Sequence, residues 1–230
     1  MRKSAILGIF FLVIFYPLLI FAVFPDKVIE DVKSSVVALY ADEDLNYLRG
    51  SGFFIDSSGA VITARHVARN YPKLWALLYD GRKLELTPAR FQESNDLAII
   101  LPKISGSEAS VFPFLKLGNI NNLTVGQPVM AIGNSNNGLW QVFYGNIENL
   151  YRQIITENNL VFTTIEFNMI IPKGFSGSPL VDENGEVLGI NIANARASSG
   201  NNLSYAISLV EIKSFIKEFY KKSPELIKKF

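Results

Sequence analysis

The amino-acid sequence predicts an all-β domain, a barrel or a sandwich, behind an amino-terminal membrane helix. Three observations predict this fold class. The chain begins with a long apolar run, its middle consists of about a dozen short apolar runs separated by Gly, Asn and Asp turns, and a single stretch near its end has helical spacing. Together they indicate one membrane span, one β domain and one terminal helix.

The composition is that of an ordinary globular protein. Of the 230 residues, 49% are hydrophobic and 19% are charged, and the formal net charge is +1. This near-neutral balance gives no electrostatic reason to expect a nucleic-acid partner. The chain has no cysteine and a single histidine, which excludes disulfides, thiolate chemistry and a cysteine-based zinc site. No acidic loop is clustered as a carboxylate metal site requires, so we expect no metal and no other cofactor.

The amino-terminal apolar run extends from Ala5 to Phe24 without a charged residue. As a helix it would be about 30 Å long, which is the thickness of the hydrocarbon core of a bilayer. The run is longer than the apolar part of a signal peptide and no A-x-A cleavage pattern follows it, so an uncleaved anchor over residues 1–24 is favoured over a cleaved signal or a buried core helix. Arg2 and Lys3 favour a single-pass membrane protein with a cytoplasmic amino terminus and an extracytoplasmic domain.

The chain after the anchor has the pattern of a β domain. Residues 25–33 are polar and are expected to form a short linker. From Ser34 onwards, short apolar runs alternate with turn residues, and the strongest hairpin signal is Asp80-Gly81 between "KLWALLY" and "RKLELTPARF". Short strands with frequent turns of this kind are typical of a barrel or a sandwich.

One stretch, Val210–Lys222, has the spacing of an amphipathic helix. Its apolar residues fall on one helical face, namely Ile212, Phe215, Ile216 and Phe219. We expect this helix to pack against the β domain rather than to lie on a membrane surface.

A serine in a glycine-rich turn is the first candidate catalytic residue. Ser176 lies within "IIPKGFSGSPLVDENGEVLGINIA", residues 170–193. A serine hydroxyl is a weak nucleophile and needs an adjacent base, and His66 carries the only imidazole of the chain. That base needs a carboxylate to orient it. Asp96 is the candidate because it directly precedes the apolar run "LAII", where a charge without a partner would be costly.

The chain order of these residues distinguishes two hydrolase scaffolds. In α/β-hydrolases the serine precedes the acid and the histidine, but no histidine follows Ser176 and the alternation of strands and helices is missing. The order here is His66, Asp96, Ser176, which is the order found in chymotrypsin-type barrels.

Three sequence blocks resemble the signature blocks of trypsin-like serine proteases. They are "GSGFFIDSSGAVITARHV", "NDLAII" and "GFSGSPLVDENGEVLGINIA", and they are most similar to those of the bacterial HtrA (Deg) branch. The resemblance implies a protease domain over residues 34–230 that contains two six-stranded antiparallel β-barrels. The first would span about residues 34–113 and the second about 114–208, followed by the helix at about 209–222. The active site would lie in the crevice between the barrels.

The resemblance also implies roles for individual residues. His66, Asp96 and Ser176 would form a catalytic triad that hydrolyses peptide bonds. The backbone N–H groups of Gly174 and Ser176 would form the oxyanion hole. The implied activity is that of a serine endopeptidase that needs no cofactor.

The implied substrate is a protein or a peptide. The strand at residues 190–194 would pair with the extended backbone of the substrate, as in the family. Ile192 and Ala193 would line a pocket without a fixed charge, so small or medium apolar side chains are expected before the cleaved bond.

Departures from the family pattern change some expectations. Phe175 precedes the serine, where digestive trypsins have an aspartate that binds a newly cut amino terminus. Phe175 cannot pair with an amine, so the loop around residues 171–173 is expected to become ordered by another means. Ser178 stands where many members have a second glycine. No PDZ domain is expected after the protease, although most HtrA members carry one, and trimer formation is not carried over.

Three other functions remain open from the sequence. The barrels could bind extended peptides without cutting them, the same triad could hydrolyse a non-peptide acyl ester, or the chain could be a membrane scaffold whose anchor is its main feature. The presence of all three triad residue types favours a membrane-anchored, extracytoplasmic serine endopeptidase.

Overall fold

The structure is a computed structural model that describes residues 24–103, 111–155, 161–196 and 202–223. Within these ranges, no helix is both long enough and apolar enough to cross a membrane. Apart from Phe24, the predicted anchor lies outside the described residues.

Two closed antiparallel β-barrels of six strands each form the domain, as predicted. The strands of the first barrel are β1 Val36–Tyr40, β2 Leu48–Phe54, β3 Val61–Ala64, β4 Leu74–Leu77, β5 Lys83–Gln92 and β6 Leu97–Pro102. The strands of the second barrel are β7 Pro128–Ser135, β8 Gly138–Ile155, β9 Val161–Phe167, β10 Pro179–Val181, β11 Val187–Arg196 and β12 Asn202–Ser208. Both barrels have the same order around the barrel, β1-β2-β3-β6-β5-β4 and β7-β8-β9-β12-β11-β10.

Successive residues of several strands face two different cores. Val37 and Leu39 of β1 lie in a cluster inside the first barrel, whereas Val36 lies in a cluster between the barrels. In β10, Leu180 faces the inside of the second barrel and Val181 faces the cluster between the barrels. Because both faces of these strands are buried, their sequences read as continuous apolar runs rather than as a strict alternation.

A helix, α1, forms at Asp26–Ser35, where the sequence predicted a linker. Ion pairs one turn apart stabilise its exposed face, with Lys27 Nζ 2.6 Å from Asp31 Oδ2 and Lys33 Nζ 2.8 Å from Glu30 Oε1. Its opposite face buries Val32 completely in the cluster between the barrels. This apolar face is so small that polar residues dominate the segment, which explains why the linker expectation was wrong.

The predicted carboxy-terminal helix is confirmed as α3, Leu209–Lys222. Its apolar face enters the cluster between the barrels through the buried side chains of Ile212, Phe215 and Phe219. Polar contacts tie the same helix to the first barrel: Asn95 Nδ2 donates to Glu211 Oε2 at 2.5 Å, and the Tyr220 hydroxyl donates to Asp56 Oδ2. Helix α3 therefore bridges the two barrels.

Candidate active site

His66 and Asp96 lie side by side because the strands that precede and follow them are paired. β3 ends at Ala64 and β6 begins at Leu97, and these two residues are partners in the antiparallel register. Beyond this pair, the Arg65 N–H donates to the Asp96 carbonyl at 2.7 Å. The chain then turns into α2, a short helix at Arg65–Ala68, which carries His66.

The Asp96 carboxylate contacts His66 at two points. His66 Nδ1 lies 2.6 Å from Asp96 Oδ2, and the His66 backbone N–H donates to Asp96 Oδ1 at 2.9 Å. A carboxylate only accepts hydrogen bonds, so Nδ1 carries the proton and Nε2 is the nitrogen left to face a substrate. Asp96 has a positive φ of 50°, a conformation that Asp tolerates better than most residues.

Ser176 lies in the second of two consecutive tight turns. The Phe175 N–H donates to the Pro172 carbonyl at 3.2 Å, and the Ser178 N–H donates to the Phe175 carbonyl at 2.8 Å. The third position of each turn is a glycine with positive φ, 107° at Gly174 and 88° at Gly177. Because the second position of each turn has negative φ, both are type II turns, in which glycine is favoured at the third position.

The turn that carries Ser176 packs tightly against the first barrel. The Ser51 N–H in β2 donates to the Ser176 carbonyl at 2.9 Å. A Cβ atom on Gly177 would lie 2.1 Å from the Ser51 carbonyl oxygen and 2.2 Å from Thr63 Oγ1 in β3. Only glycine therefore fits here, and the close approach places the turn beside the end of β3, where α2 begins.

Gly50 separates Ser176 from the helix that carries the histidine. A Cβ atom on Gly50 would lie 2.8 Å from the Ser176 carbonyl oxygen and 2.7 Å from a methyl group of Val67, the residue after His66. The structure thus brings the segments bearing all three predicted triad residues to one place between the barrels.

The hydroxyl of Ser176 is turned towards β11. Ser176 Oγ donates to the Ile192 carbonyl at 3.4 Å. Among the described residues, no hydrogen bond joins Ser176 Oγ to the His66 ring.

The tandem turns carry two backbone donors, the N–H groups of Gly174 and Ser176. In the described part of the chain, no carbonyl or side chain accepts from the N–H of Gly174 or of Ser176. A Cβ atom on Gly174 would lie 2.6 Å from the Asn134 carbonyl oxygen, so this position requires glycine for space as well as for its positive φ.

Phe175 orders the turns by filling the core of the second barrel. Its side chain is fully buried, and its ring packs edge to face on Phe143 with centroids 5.3 Å apart. A Cβ atom on Gly133 would lie 2.7 Å from the Phe175 ring, so the ring also packs on the backbone of β7. Ile171 is buried in the same cluster. These apolar contacts hold the loop around residues 171–173.

The two predicted pocket residues lie on β11 at an irregularity of the sheet. The register between β11 and β12 shifts between Asn191 and Ala193, so Ile192 is the extra residue of a bulge. The Ile192 side chain is half-buried and packs against the cluster between the barrels and the cluster of the first barrel. The side chain of Ala193 lies outside the described residues.

Sequence reasoning missed Ser51 and Asn134, which contact the tandem turns from the two barrels. Both side chains are fully buried. The signal for Ser51 was its place in "GSG", because glycines on both sides of a polar residue indicate close approach of another backbone. Asn134 lies in an apolar strand, where a lone amide indicates a buried hydrogen-bonding role.

Comparison with known proteins finds matches that are all named as peptidases or proteases. A family model described as trypsin-like peptidase domain matches residues 50–190. HhoA of Synechocystis sp. is 34% identical over 170 residues, which are 72% of this chain and 41% of HhoA. "Serine protease HTRA4" of Mus musculus is 29% identical over 204 residues, which are 85% of this chain and 41% of that protein.

Two further matches concern bacterial proteins. "Probable periplasmic serine endoprotease DegP-like" of Chlamydia trachomatis is 32% identical over 175 residues, which are 74% of this chain and 33% of that protein. The chain thus spans between 33% and 41% of the length of these three relatives. Among solved structures, the MamO protease domain from Magnetospirillum magneticum has the same fold, with a TM-score of 0.69 and 20% identity over 80% of this chain and 97% of that one.

Proposed function

The chain belongs to the family of trypsin-like peptidases, and on that premise we propose that it is a serine endopeptidase with His66, Asp96 and Ser176 as its catalytic triad. The single observation that carries this proposal is the contact of His66 Nδ1 with Asp96 Oδ2 at 2.6 Å, beside the turn that bears Ser176. This is the arrangement that leaves Nε2 free to act as a base.

The proposed reaction begins with Ser176. Its Oγ attacks the carbonyl carbon of the scissile peptide bond while His66 Nε2 takes its proton, and Asp96 stabilises the resulting imidazolium. The C–N bond then breaks, the imidazolium protonates the leaving amine, and an acyl-enzyme ester remains on Ser176. Water hydrolyses that ester with His66 again as the base. The missing Ser176–His66 hydrogen bond does not oppose this role, because such contacts often tighten only when substrate binds.

The developing oxyanion is assigned to the N–H groups of Gly174 and Ser176. Both donors lie in the tandem turns, and neither has an acceptor within the part of the chain that the structure describes. Donors fixed before the reaction stabilise the negative charge without reorganisation. The loss of one such donor typically lowers kcat by about 10²–10³-fold.

The substrate is assigned to β11. An extended peptide would pair with the strand near Ile192, and the carbonyl that now accepts from Ser176 Oγ is one of its available acceptors. Ile192 and Ala193 bring no charge to this region, so we expect small or medium apolar side chains before the cleaved bond.

Membrane anchoring through residues 5–24, with the protease domain outside the cytoplasm, completes the proposal. Its support is the uncharged apolar run and the preceding Arg2 and Lys3.

Two experiments test the membrane anchor. After extraction of membranes with alkaline carbonate, the full chain should remain in the pellet. A protease added outside the cytoplasmic membrane should degrade the domain. Release into the supernatant, or protection from the added protease, contradicts this part of the proposal.

Labelling with a fluorophosphonate probe, combined with a peptide-library cleavage assay, tests the catalytic proposal. The wild-type chain should be labelled and should cleave peptides, and Ser176→Ala should do neither. Labelling with turnover of small esters but not of peptides indicates an esterase. Peptide binding without labelling or cleavage indicates a binding module, and either result overturns the endopeptidase.

A further inference from the structure

We propose that Ser51 and Asn134 form a buried hydrogen-bonded clamp between the barrels that positions the oxyanion-binding turn. This clamp, defined as these two side chains and their mutual hydrogen bonds, rests on the proposed function because it holds the residue whose N–H is assigned to the oxyanion. Neither residue is assigned a contact with a reacting atom, so both are positioning residues.

Ser51 holds both residues that carry the free N–H groups. Its Oγ donates to the Gly174 carbonyl at 3.0 Å, and its backbone N–H donates to the Ser176 carbonyl at 2.9 Å. Ser51 belongs to β2 of the first barrel, whereas Gly174 and Ser176 belong to the second. The position of the turn therefore depends on a residue of the opposite barrel.

Asn134 fixes the direction of the Ser51 hydroxyl. Its backbone N–H and its Nδ2 both donate to Ser51 Oγ, at 2.9 Å and 3.2 Å. A hydroxyl has one proton and accepts two hydrogen bonds, so both acceptor positions are occupied and the proton is directed to Gly174. The clamp leaves no alternative partner for that proton.

Both ends of the Asn134 side-chain amide have hydrogen-bond partners. Nδ2 donates its second hydrogen bond to the Val37 carbonyl in β1 at 3.1 Å, and Oδ1 accepts from the Trp140 N–H at 2.9 Å. These partners define which end of the amide is oxygen and which is nitrogen. A fully satisfied buried network of this kind rigidifies its surroundings, whereas the loss of one member leaves the others unpaired.

The clamp acts on a turn that has two possible forms. The Pro172–Phe175 turn is type II because Gly174 has a φ of 107°. If the peptide between Lys173 and Gly174 rotates by about 180°, the turn becomes type I, the φ of Gly174 becomes negative and its N–H points the opposite way. The Gly174 carbonyl belongs to the peptide that follows Gly174 and keeps its place in this rotation. The hydrogen bond from Ser51 therefore fixes where Gly174 lies, and the type II form of the turn directs its N–H.

Ser51→Ala and Asn134→Ala test the clamp, with Tyr220→Phe as a control that removes a partly buried hydrogen bond made by α3. We expect kcat for a peptide substrate to fall by about 10- to 100-fold in both clamp variants while KM changes by less than about twofold. The affinity for a peptide aldehyde, whose hemiacetal oxygen occupies the oxyanion hole, should fall by the same factor. The double variant should be no worse than the more damaging single variant. The control should lose thermal stability without these changes.

Crystal structures of the clamp variants give a readout that is independent of activity. We expect the Gly174–Phe175 peptide to move away from β2, so that the Gly174 N–H no longer lies beside that of Ser176. An unmoved Gly174–Phe175 peptide in Ser51→Ala, or unchanged kcat and aldehyde affinity despite a lower Tm, overturns the clamp. Failure of the proposed function would be seen separately, as absent labelling and cleavage in the wild-type chain, and the crystal structures then decide on the clamp alone.

Discussion

Asp96 holds His66 through both carboxylate oxygens, one on the ring and one on the backbone N–H. The second contact fixes the start of α2, and the first fixes the ring relative to it. The orientation of the imidazole is therefore set by β6, the strand that Asp96 precedes, and not by the short helix that carries the ring.

Asp96→Asn keeps the shape of this contact but removes its charge. An amide can donate to Nδ1, which favours the tautomer that has its proton on Nε2 and leaves no base for Ser176. We expect kcat/KM for a peptide substrate to fall on the order of 10⁴-fold at neutral pH. Asp80→Asn, in an exposed turn, is the control and should leave kcat/KM unchanged. An Asp96→Asn variant within tenfold of wild type would refute the assigned role.

Gly177→Ala and Gly81→Ala separate steric exclusion from backbone strain. The two glycines have nearly the same φ, 88° and 87°, but an added Cβ at Gly81 meets nothing within 4 Å. Gly81→Ala should therefore cost only the strain of a left-handed residue, about 1–2 kcal/mol. Gly177→Ala should lower the free energy of unfolding by at least about 3 kcal/mol, since its Cβ would collide with the Ser51 carbonyl. Chemical denaturation measures both, and equal losses would contradict the close approach.

Phe175→Leu and Phe143→Leu remove the same edge-to-face contact, which is worth about 0.5–1.5 kcal/mol, from opposite sides. Only Phe175 belongs to the turns that bear Ser176. We expect both variants to lose thermal stability, but kcat should fall about 10- to 100-fold only in Phe175→Leu, because the turns shift with their anchor. Steady-state kinetics and calorimetry check this expectation. Equal kinetic losses would show that the ring pair acts only through general stability.

Tyr220→Phe removes the hydrogen bond from α3 to Asp56. Burial, followed by this hydrogen bond, raises the pKa of the Tyr220 hydroxyl well above its usual range. A raised pKa means that the folded state keeps a proton that the unfolded state releases above about pH 10, so this contribution is complete below about pH 10 and declines above it. Wild type should exceed Tyr220→Phe by about 1–2 kcal/mol in free energy of unfolding at pH 7. The difference in free energy of unfolding between wild type and Tyr220→Phe should narrow above about pH 10. A difference that stays constant up to about pH 11.5 would argue against the hydrogen bond from Tyr220 to Asp56.

The β architecture and the terminal helix could be predicted because their signals are local. Turn residues such as Asp80-Gly81 and the apolar face of Ile212, Phe215 and Phe219 are visible within a few neighbouring residues. Helix α1 was not predicted because only one of its apolar residues, Val32, is fully buried, Val28 and Ile29 are only partly buried, and the remaining residues are polar. Propensity is a weak prior where tertiary packing decides.

The candidate site also contains some residues that the sequence predicts and others that depend on tertiary packing. The side chains with distinctive chemistry, His66, Asp96 and Ser176, could be predicted from their types and their flanking motifs. The partners that position the turns could not, because Ser51 is 123 residues from Gly174 and 83 residues from Asn134 along the chain. Such contacts exist only after two separately closed barrels pack together. The local pattern can indicate a close approach at Ser51 and a buried amide at Asn134, but not the residues that they contact.

Helix α1 also determines how the domain relates to whatever precedes it. Phe24 is buried against Tyr144 of the second barrel, α1 begins at Asp26, and the helix leads directly into β1. A flexible tether of n residues lets a domain wander by roughly 5–6 Å × √n, but here no slack remains between Phe24 and the folded body. If the apolar run before Phe24 spans a bilayer, the chain would leave the lipid close to the residue that packs on the second barrel, and the domain would stay near the membrane surface.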